Sequence, residues 1–521
     1  MRDMNETGKA SACNLRGREK GHAASTKSAQ RIVITLAVTL FLVCTINGAL
    51  AENSERKTNT STAFARLYNF CSVAKCSDGT SPGGPIQGLD GNFYGTTYDG
   101  GIYDSACSTY GCGTIYKITP TGTLTTLYHF CSKSNCSDGT FPVTLILGND
   151  GNFYGVTRGG GASNNDNCKS GCGTLFKLTP QGTLTTLYNF DVEDGFAPSQ
   201  LLWTADETLY GATYAILFQQ AEGQVFIVNA NGTTKFIGPG NAVTGVWFQG
   251  TDSQVVGNST PTCDQYCTIQ GGWVYKMSAD GTSTVLYNFC PTGSNCTYYS
   301  PGSMIEGVDG NFYGVVGGGT VNSLCTTIGY NSCGVVYQLT TGGAFTPLYN
   351  FCSLAKCADG AGPYGLVAGS DGNIYGEAGP NAGLIFKLTP GGTASTVYTF
   401  CSLAGCGEGP SGLVQATDGT FYGTTGFGGS HAKGTLYHLA AGLPSFVHPL
   451  ATFGAVGTKV RILGSNLTGT TGVFFNGTPA AFEVGSKTNL TATVPAGATT
   501  GVITVTTPKG TLSSNVLFGV Q

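Results

Sequence analysis

The stretch from Leu89 to Gly95, LDGNFYG, decides the fold, because it returns as NDGNFYG, ADETLYG, TDSQVVG, VDGNFYG, SDGNIYG and TDGTFYG. The closing glycines are Gly95, Gly155, Gly211, Gly257, Gly314, Gly376 and Gly423, spaced 46 to 62 residues apart. That is the length of one β-propeller blade. A second strand follows each time: GTIYKIT from Gly113, GTLFKLT from Gly173, GQVFIVN from Gly223, GWVYKMS from Gly272, GVVYQLT from Gly334, GLIFKLT from Gly383 and GTLYHLA from Gly434. These segments alternate and are rich in β-branched and aromatic residues, as half-buried strands are. A turn such as the one at 119–122 leads into a further strand, LTTLYHF or LTTLYNF, and an apolar stretch precedes each Asp turn, so each unit holds four strands.

The array opens on an outer-type strand, Phe64 to Phe70, and closes on Gly434 to Leu439 with its outer partner missing. The first strand therefore predicts completion of the last unit, which removes two exposed sheet edges by joining the ends of a ring. The expectation is an all-β chain with a seven-bladed β-propeller over 64–442, closed by its N-terminal strand. No helical period appears, which excludes an α-solenoid.

The chain has 521 residues, 81 glycines and 10% charged residues, which suits many short strands and tight turns. A net charge of −4 gives no basic footprint, so neither nucleic acid nor anionic lipid is an expected partner. Residues 1–51 read as a signal peptide with a basic leader: Arg16, Arg18, Lys20, Lys27 and Arg31, then an apolar run from Ile32, then Ala49-Leu50-Ala51 as the cleavage pattern. The competing reading is an uncleaved anchor, the one route to a membrane. Residues 52–63 form a linker.

Cysteine usage agrees with export. Apart from Cys13 and Cys44 in the leader, eighteen cysteines fall into nine close pairs: Cys71/Cys76, Cys107/Cys112, Cys131/Cys136, Cys168/Cys172, Cys263/Cys267, Cys290/Cys296, Cys325/Cys333, Cys352/Cys357 and Cys401/Cys406. Local pairing with none left over reads as disulfides. Zinc is the alternative, disfavoured because the pairs lie tens of residues apart with little histidine nearby; no metal and no cofactor is expected. In four-stranded blades the connection between blades and the loop between second and third strands emerge at the same end. Every cysteine pair sits in one of those two places, so one end is elaborate and the other carries plain Asp-Gly and Pro-x-Gly turns.

From Pro444 onward cysteine disappears and the chain reads VGTKVRILGSNL, GVFFNGTPAAFEV, TNLTATVPAG and GVITVTTPKGTLSSNVLFGV. These short alternating strands predict a β-sandwich over 443–521. The segment resembles the immunoglobulin-like TIG/IPT domains through Gly457 to Leu467, Val473 to Thr478, Val494-Pro495 and Gly501 to Val505. That resemblance implies a spacer or adhesion module without catalytic residues. The repeats resemble the GloVer tandem-repeat family of exported bacterial proteins in DGNFYGTT at Asp90 to Thr97, GTIYKITPTGTLTTLYHF at Gly113 to Phe130 and DGTFYGTT at Asp418 to Thr425. It covers 64–442 most weakly in repeats three and four, and implies a surface-associated propeller with no substrate or catalytic set. Members commonly end in a sorting tail; the residues before Gln521 carry none, which leaves free secretion or retention through the leader as the expectations.

The turn aspartates, Asp90, Asp150, Asp206, Asp252, Asp309, Asp371 and Asp418, suit hairpin chemistry better than calcium. His129 replaces the asparagine of Asn69 and Asn189, and His438 the lysine of Lys117 and Lys177, so both read as surface substitutions. Glu377, Glu408 and His431 are the candidates for acid-base work, and no nucleophile elbow, zinc helix or phosphate loop accompanies them. The elaborate end is dense in flat aromatics and amides: Tyr98, Tyr103, Tyr110, Asn164, Asn165, Tyr214, Tyr266, Tyr298, Tyr299 and Tyr330. Such groups suit sugar faces or protein surfaces, and equally packing between loops. The expected function is an exported, non-catalytic binding or adhesion protein that recognises a glycan or a surface protein. The alternatives are a secreted polysaccharide lyase or glycosidase, which needs two suitably spaced carboxylates, and a structural envelope component.

Overall fold

The computed structural model describes residues 63–521 apart from 108, 163–167, 169, 218–219, 230–232, 238–242, 260–271, 292–297, 320–324, 326–332, 380–381 and 402–406. The leader lies outside the described residues, among which no helix is long and apolar enough to cross a membrane. The chain is all-β and propeller-like, built from antiparallel sheets in which consecutive strands are neighbours. Sheet 2 is typical, with Thr140–Leu147, Phe153–Gly159, Thr174–Leu178 and Leu184–Asn189 laid side by side. Sheets 3 to 6, with strands within 196–237, 243–288, 298–350 and 361–399, repeat the pattern, and sheet 1 differs only in a divided first strand, Thr80–Pro82 and Ile86–Gln87. In sheet 7 the strands Gly407–Gln415, Phe421–Gly428 and Thr435–Ala440 are followed by Ala63–Asn69, which pairs with Thr435–Ala440, Phe64 opposite Leu439 and Asn69 opposite Thr435.

The recurring motif has a packing reason. Each motif glycine faces an aromatic ring on the next strand: Gly95 opposes Tyr116, Gly257 opposes Tyr275 and Gly423 opposes Tyr437. A Cβ at any of these glycines would run into that ring, so the position admits nothing larger. The two aromatics before the glycine point to opposite faces of their strand. Phe93 accordingly stacks on Tyr422 of sheet 7 at 3.9 Å, while Tyr94 meets Phe153 of sheet 2 at 4.2 Å. The core therefore lies between sheets, one aromatic layer per junction.

The first strands of sheets 1 to 7 all reach one cavity of about 470 Å³, through Gln87, Leu147, Trp203, Gln249, Glu306, Ala368 and Gln415 among others. These seven occupy the same place in the repeat, at the end of the first strand before the Asp turn. Three are latches between sheets. The Gln87 side-chain oxygen accepts from the Thr417 amide, that of Gln249 from Ala205 and that of Gln415 from Ser370, at 3.0, 3.0 and 2.8 Å.

After Leu443 the strands Lys459–Leu463, Gly472–Phe475, Asn489–Thr493 and Ile503–Thr507 belong to two further four-stranded sheets. They enclose a core that includes Ile462, Phe475, Leu490, Val505 and Phe518. Rather than standing free as a spacer, these sheets sit on the Asp-turn end of the array. Thr488 Oγ1 donates to the Leu89 carbonyl at 2.6 Å, Thr452 Oγ1 to that of Gln249 at 2.8 Å and Asn515 Nδ2 to that of Ala368 at 3.2 Å. Backbone carbonyls at turn ends lack strand partners, so hydroxyl and amide side chains satisfy them.

Candidate functional site

The disulfide-bearing end is built from one repeated knuckle. In the connection 71–79, Cys71, Lys75 and Cys76 have positive φ of 64°, 56° and 48°; Cys131, Asn135 and Cys136 repeat this at 61°, 55° and 49°, and Cys352, Lys356 and Cys357 at 57°, 58° and 50°. A left-handed backbone is unfavourable for cysteine and lysine, although asparagine tolerates it, so something must hold it. One constraint is the disulfide, formed at Cys71–Cys76, Cys131–Cys136 and Cys352–Cys357. The second is a buried aspartate. Asp138 accepts from Tyr128 Oη at 2.7 Å, from the Ser132 amide and hydroxyl at 3.0 Å each, and from the Lys133 amide at 3.3 Å. Asp78 takes the same donors from Tyr68, Ser72 and Val73, and Asp359 from Tyr349, Ser353 and Leu354. Burial and the neighbouring carboxylate push the Tyr68 hydroxyl up to about 12, so it stays a proton donor. Sheet 3 lacks cysteine in its connection yet keeps the acceptor: Asp194 takes Tyr188 Oη at 2.7 Å and the Asp191 amide at 3.2 Å.

The disulfides Cys107–Cys112, Cys168–Cys172 and Cys325–Cys333 brace the loops between second and third strands. Cys290 and Cys401 are also disulfide-bonded, while Cys263, Cys267, Cys296 and Cys406 lie outside the described residues. Pairs distant in sequence come together. The sulfurs of Cys107, Cys112, Cys131 and Cys136 lie within 4.8 Å of one another, as do those of Cys325, Cys352 and Cys357. Separation along the chain is thus a poor argument against a metal here, because loop and connection fold together at one end. Bonding is the better argument: a disulfide sulfur is not the thiolate that zinc takes.

The aromatic candidates divide. Tyr103 and Tyr110 are 45% and 68% exposed and present their rings to solvent. Tyr98 is half-buried and stacks on Phe141 at 5.1 Å, and Tyr298 packs on Phe345 at 5.2 Å, so both serve the array. Tyr214 and Tyr299 lie in strands Leu209–Leu217 and Tyr298–Glu306. Asn164, Asn165, Tyr266 and Tyr330 lie outside the described residues.

The acid-base candidates do not assemble. Glu377 is wholly buried between sheets 6 and 7, where one carboxylate oxygen accepts from the Gly412 amide at 3.0 Å and the other has no partner. Burial raises it to about 8. Glu408 is half-exposed opposite Phe427 and His431 is exposed in a loop of sheet 7; among the described residues no hydrogen bond or ion pair joins the three. The reading of His129 and His438 as surface substitutions is corrected as well. Both are half-buried, and burial lowers both imidazoles below their ordinary value. His438 stands where Lys117, Lys177 and Lys387 pair with their turn aspartates at 2.7, 2.8 and 2.7 Å, and it lies against the Tyr422 ring instead.

Those lysines complete the turn chemistry. Asp90 accepts from the Asn92 amide at 3.1 Å, from Asn92 Nδ2 at 2.7 Å, from Tyr94 Oη at 3.0 Å and from Lys117. Burial works against the Asp90 anion, but Lys117 and these donors outweigh it and the carboxyl sits below its ordinary value. Its lone pairs are taken up within the repeat. The knuckle aspartates and these lysines are the residues that motif reading missed. A Tyr ten residues before an Asp, recurring in three connections, was the available signal for the first.

Comparison with known proteins adds the family. No curated protein matches the chain. Similar solved structures include hydrazine synthase of Kuenenia stuttgartiensis, 14% identical, covering 71% of this chain and 98% of that one with a TM-score of 0.47. Another is a luciferin-regenerating enzyme, 11% identical, covering 74% and 97% with a TM-score of 0.36. The model of the Gloeobacter/Verrucomicrobia repeat matches residues 54–245 and 248–488, and with that coverage the chain belongs to the Gloeobacter/Verrucomicrobia repeat family.

Proposed function

We propose that the chain is an exported binding protein: a seven-bladed β-propeller closed by Ala63–Asn69, carrying a TIG/IPT-like immunoglobulin sandwich from 443, that recognises a glycan or a surface protein through its disulfide-braced end. The observation that carries the reading is the asymmetry of the two ends. The Asp-turn end is occupied by the C-terminal strands, bonded to the carbonyls of Leu89, Gln249 and Ala368. The other end presents loops held by knuckle, aspartate and disulfide, with Tyr103 and Tyr110 open beside them. Loops already fixed in place lose little further entropy on binding, and exposed tyrosines offer flat faces for sugar rings. Six disulfides between described residues fit an oxidising compartment.

The catalytic alternative gains nothing from Glu377, which is sealed between sheets. A glycan array probed with the purified, oxidised chain tests the reading. Saturable binding to a sugar class is expected; a blank array removes the glycan and leaves a protein ligand or an envelope role. Mass analysis of the protein recovered from the medium or cell surface tests export, with cleavage after Ala51 the expected result.

A further inference from the structure

The seven equivalent positions around the cavity contain an internal control. The fold needs an acceptor there, and glutamine supplies it at 87, 249 and 415 without a charge. Position 306 makes the corresponding latch with glutamate: its carboxylate accepts from Thr251, whose hydroxyl lies 3.3 Å from Oε1, and Thr251 stands two residues beyond Gln249 as Thr417 does beyond Gln415. The latch thus explains an acceptor and leaves the charge unexplained. Placing a carboxylate in an apolar cavity is costly when no cation is supplied. Burial pushes Glu306 up to about 7, with Asp252 acting in the same direction and Lys276 against it.

The described residues offer Glu306 no counter-ion. Lys276 is the nearby cation, and its Nζ is 2.7 Å from Asp252 and lies over the Phe312 ring. His448, which lines the same cavity, bonds Asn515 through Nδ1 at 3.0 Å, and burial lowers its imidazole below the ordinary value. Trp203, Trp247, Phe248 and Leu450 line the same cavity as Glu306, together with uncharged polar side chains that include Gln87, Thr452 and Asn515. About 470 Å³ is the size of a small-molecule site, and such sites are apolar with a few placed polar groups. Aromatic side chains that share a cavity with a carboxylate favour a cation, most of all one that is weakly hydrated.

We propose that this cavity binds an organic ammonium ion with an apolar body, its charge against the Glu306 carboxylate and its body among Trp203, Trp247 and Phe248. The site is separate from the disulfide-braced end and requires the C-terminal strands, which supply His448 and Leu450.

Glu306→Gln is the decisive variant, because glutamine already makes this latch at three equivalent positions and should preserve the fold. At a pH of about 8.5, where Glu306 is ionised, the full chain is titrated with benzyltrimethylammonium and, in parallel, with benzyl alcohol, following the fluorescence of the tryptophans, two of whose three side chains line the cavity. Saturable quenching by the ammonium is expected in the unmodified protein, weakened at least tenfold in Glu306→Gln, while any response to benzyl alcohol is the same in both. Equal affinity of the two proteins for the ammonium, or no saturable response in the unmodified protein, overturns the proposal. A circular-dichroism melt of Glu306→Gln within a few degrees of the parent assigns a loss of binding to the charge rather than to unfolding.

Discussion

Replacing Asp138 by alanine should destabilise the protein more than removing the disulfide beside it. The carboxylate is wholly buried and accepts four hydrogen bonds, two from hydroxyls and two from backbone amides. Hydrogen bonds to a charged acceptor contribute about 1.5–3 kcal/mol each when the partner is left unpaired. Ser132 and Lys133 are exposed and can recover water, so the four do not add, and a loss of about 3–4 kcal/mol is expected. The disulfide Cys131–Cys136 closes a loop with a sequence separation of only 5, for which chain entropy gives about 2 kcal/mol. Urea unfolding of Asp138→Ala, of Cys131→Ala/Cys136→Ala and of the parent measures both losses. Amide exchange supplies a local readout, since the Ser132 and Lys133 amides should lose protection in the aspartate variant. Asp78 and Asp359 make the same bonds and serve as replicates, and the exposed turn residue Asp280 is the contrast, with a much smaller loss expected. An Asp138 variant no less stable than the Asp280 variant would refute the cage as the element that holds the knuckle.

Two other outcomes follow from the packing between sheets. Glu377 holds its proton in the folded state up to about pH 8, whereas an unfolded glutamate releases it near 4.5. Its contribution to stability is therefore full below the unfolded value and is lost as pH rises through the folded one, by up to about 5 kcal/mol at 1.36 kcal/mol per unit. Urea midpoints between pH 5 and pH 9 should fall less steeply for Glu377→Gln than for the parent, and identical slopes would contradict the assignment. Phe64 stacks on Tyr398 at 4.3 Å and lies 5.4 Å from Tyr437, and because it is half-buried Phe64→Ala should cost about 2–3 kcal/mol, less than the about 3–5 kcal/mol of a core phenylalanine. It should also raise amide exchange in Thr435–Ala440, the strand it pairs with; unchanged exchange there would argue against ring closure through this strand.

Repetition made most of the array legible. Seven copies of one strand and turn disclosed the sheets, and their phase disclosed an outer strand with no partner at one end and a vacancy for it at the other. Local pattern says nothing about docking, and so the seating of the C-terminal strands on the turn carbonyls was not foreseen. The burial of Glu377 is readable from its place in the strand. It lies two residues after Tyr375, on the same face of strand Ile374–Gly379, and alternation alone places it inside with that ring. The knuckle aspartates were hidden for a different reason. Each shares its tripeptide with a cysteine, and a cysteine pair by itself carries no sign of a buried acceptor beside it. Glu306 differs from Gln87, Gln249 and Gln415 by one amide, a contrast that acquires meaning only once the four are known to end equivalent strands on a common cavity.

The central claim, that the disulfide-braced end is the binding end, is tested most directly by comparing two variants on one glycan array. Tyr103→Ala/Tyr110→Ala removes two exposed rings of that end, and Lys487→Ala alters the opposite end, where Lys487 lines a small cleft with Asp90 and Thr488. The account predicts that the double tyrosine variant loses at least tenfold in affinity for the sugars bound by the parent and that Lys487→Ala binds as the parent does. Undiminished binding by the tyrosine variant, or a loss confined to Lys487→Ala, would contradict it.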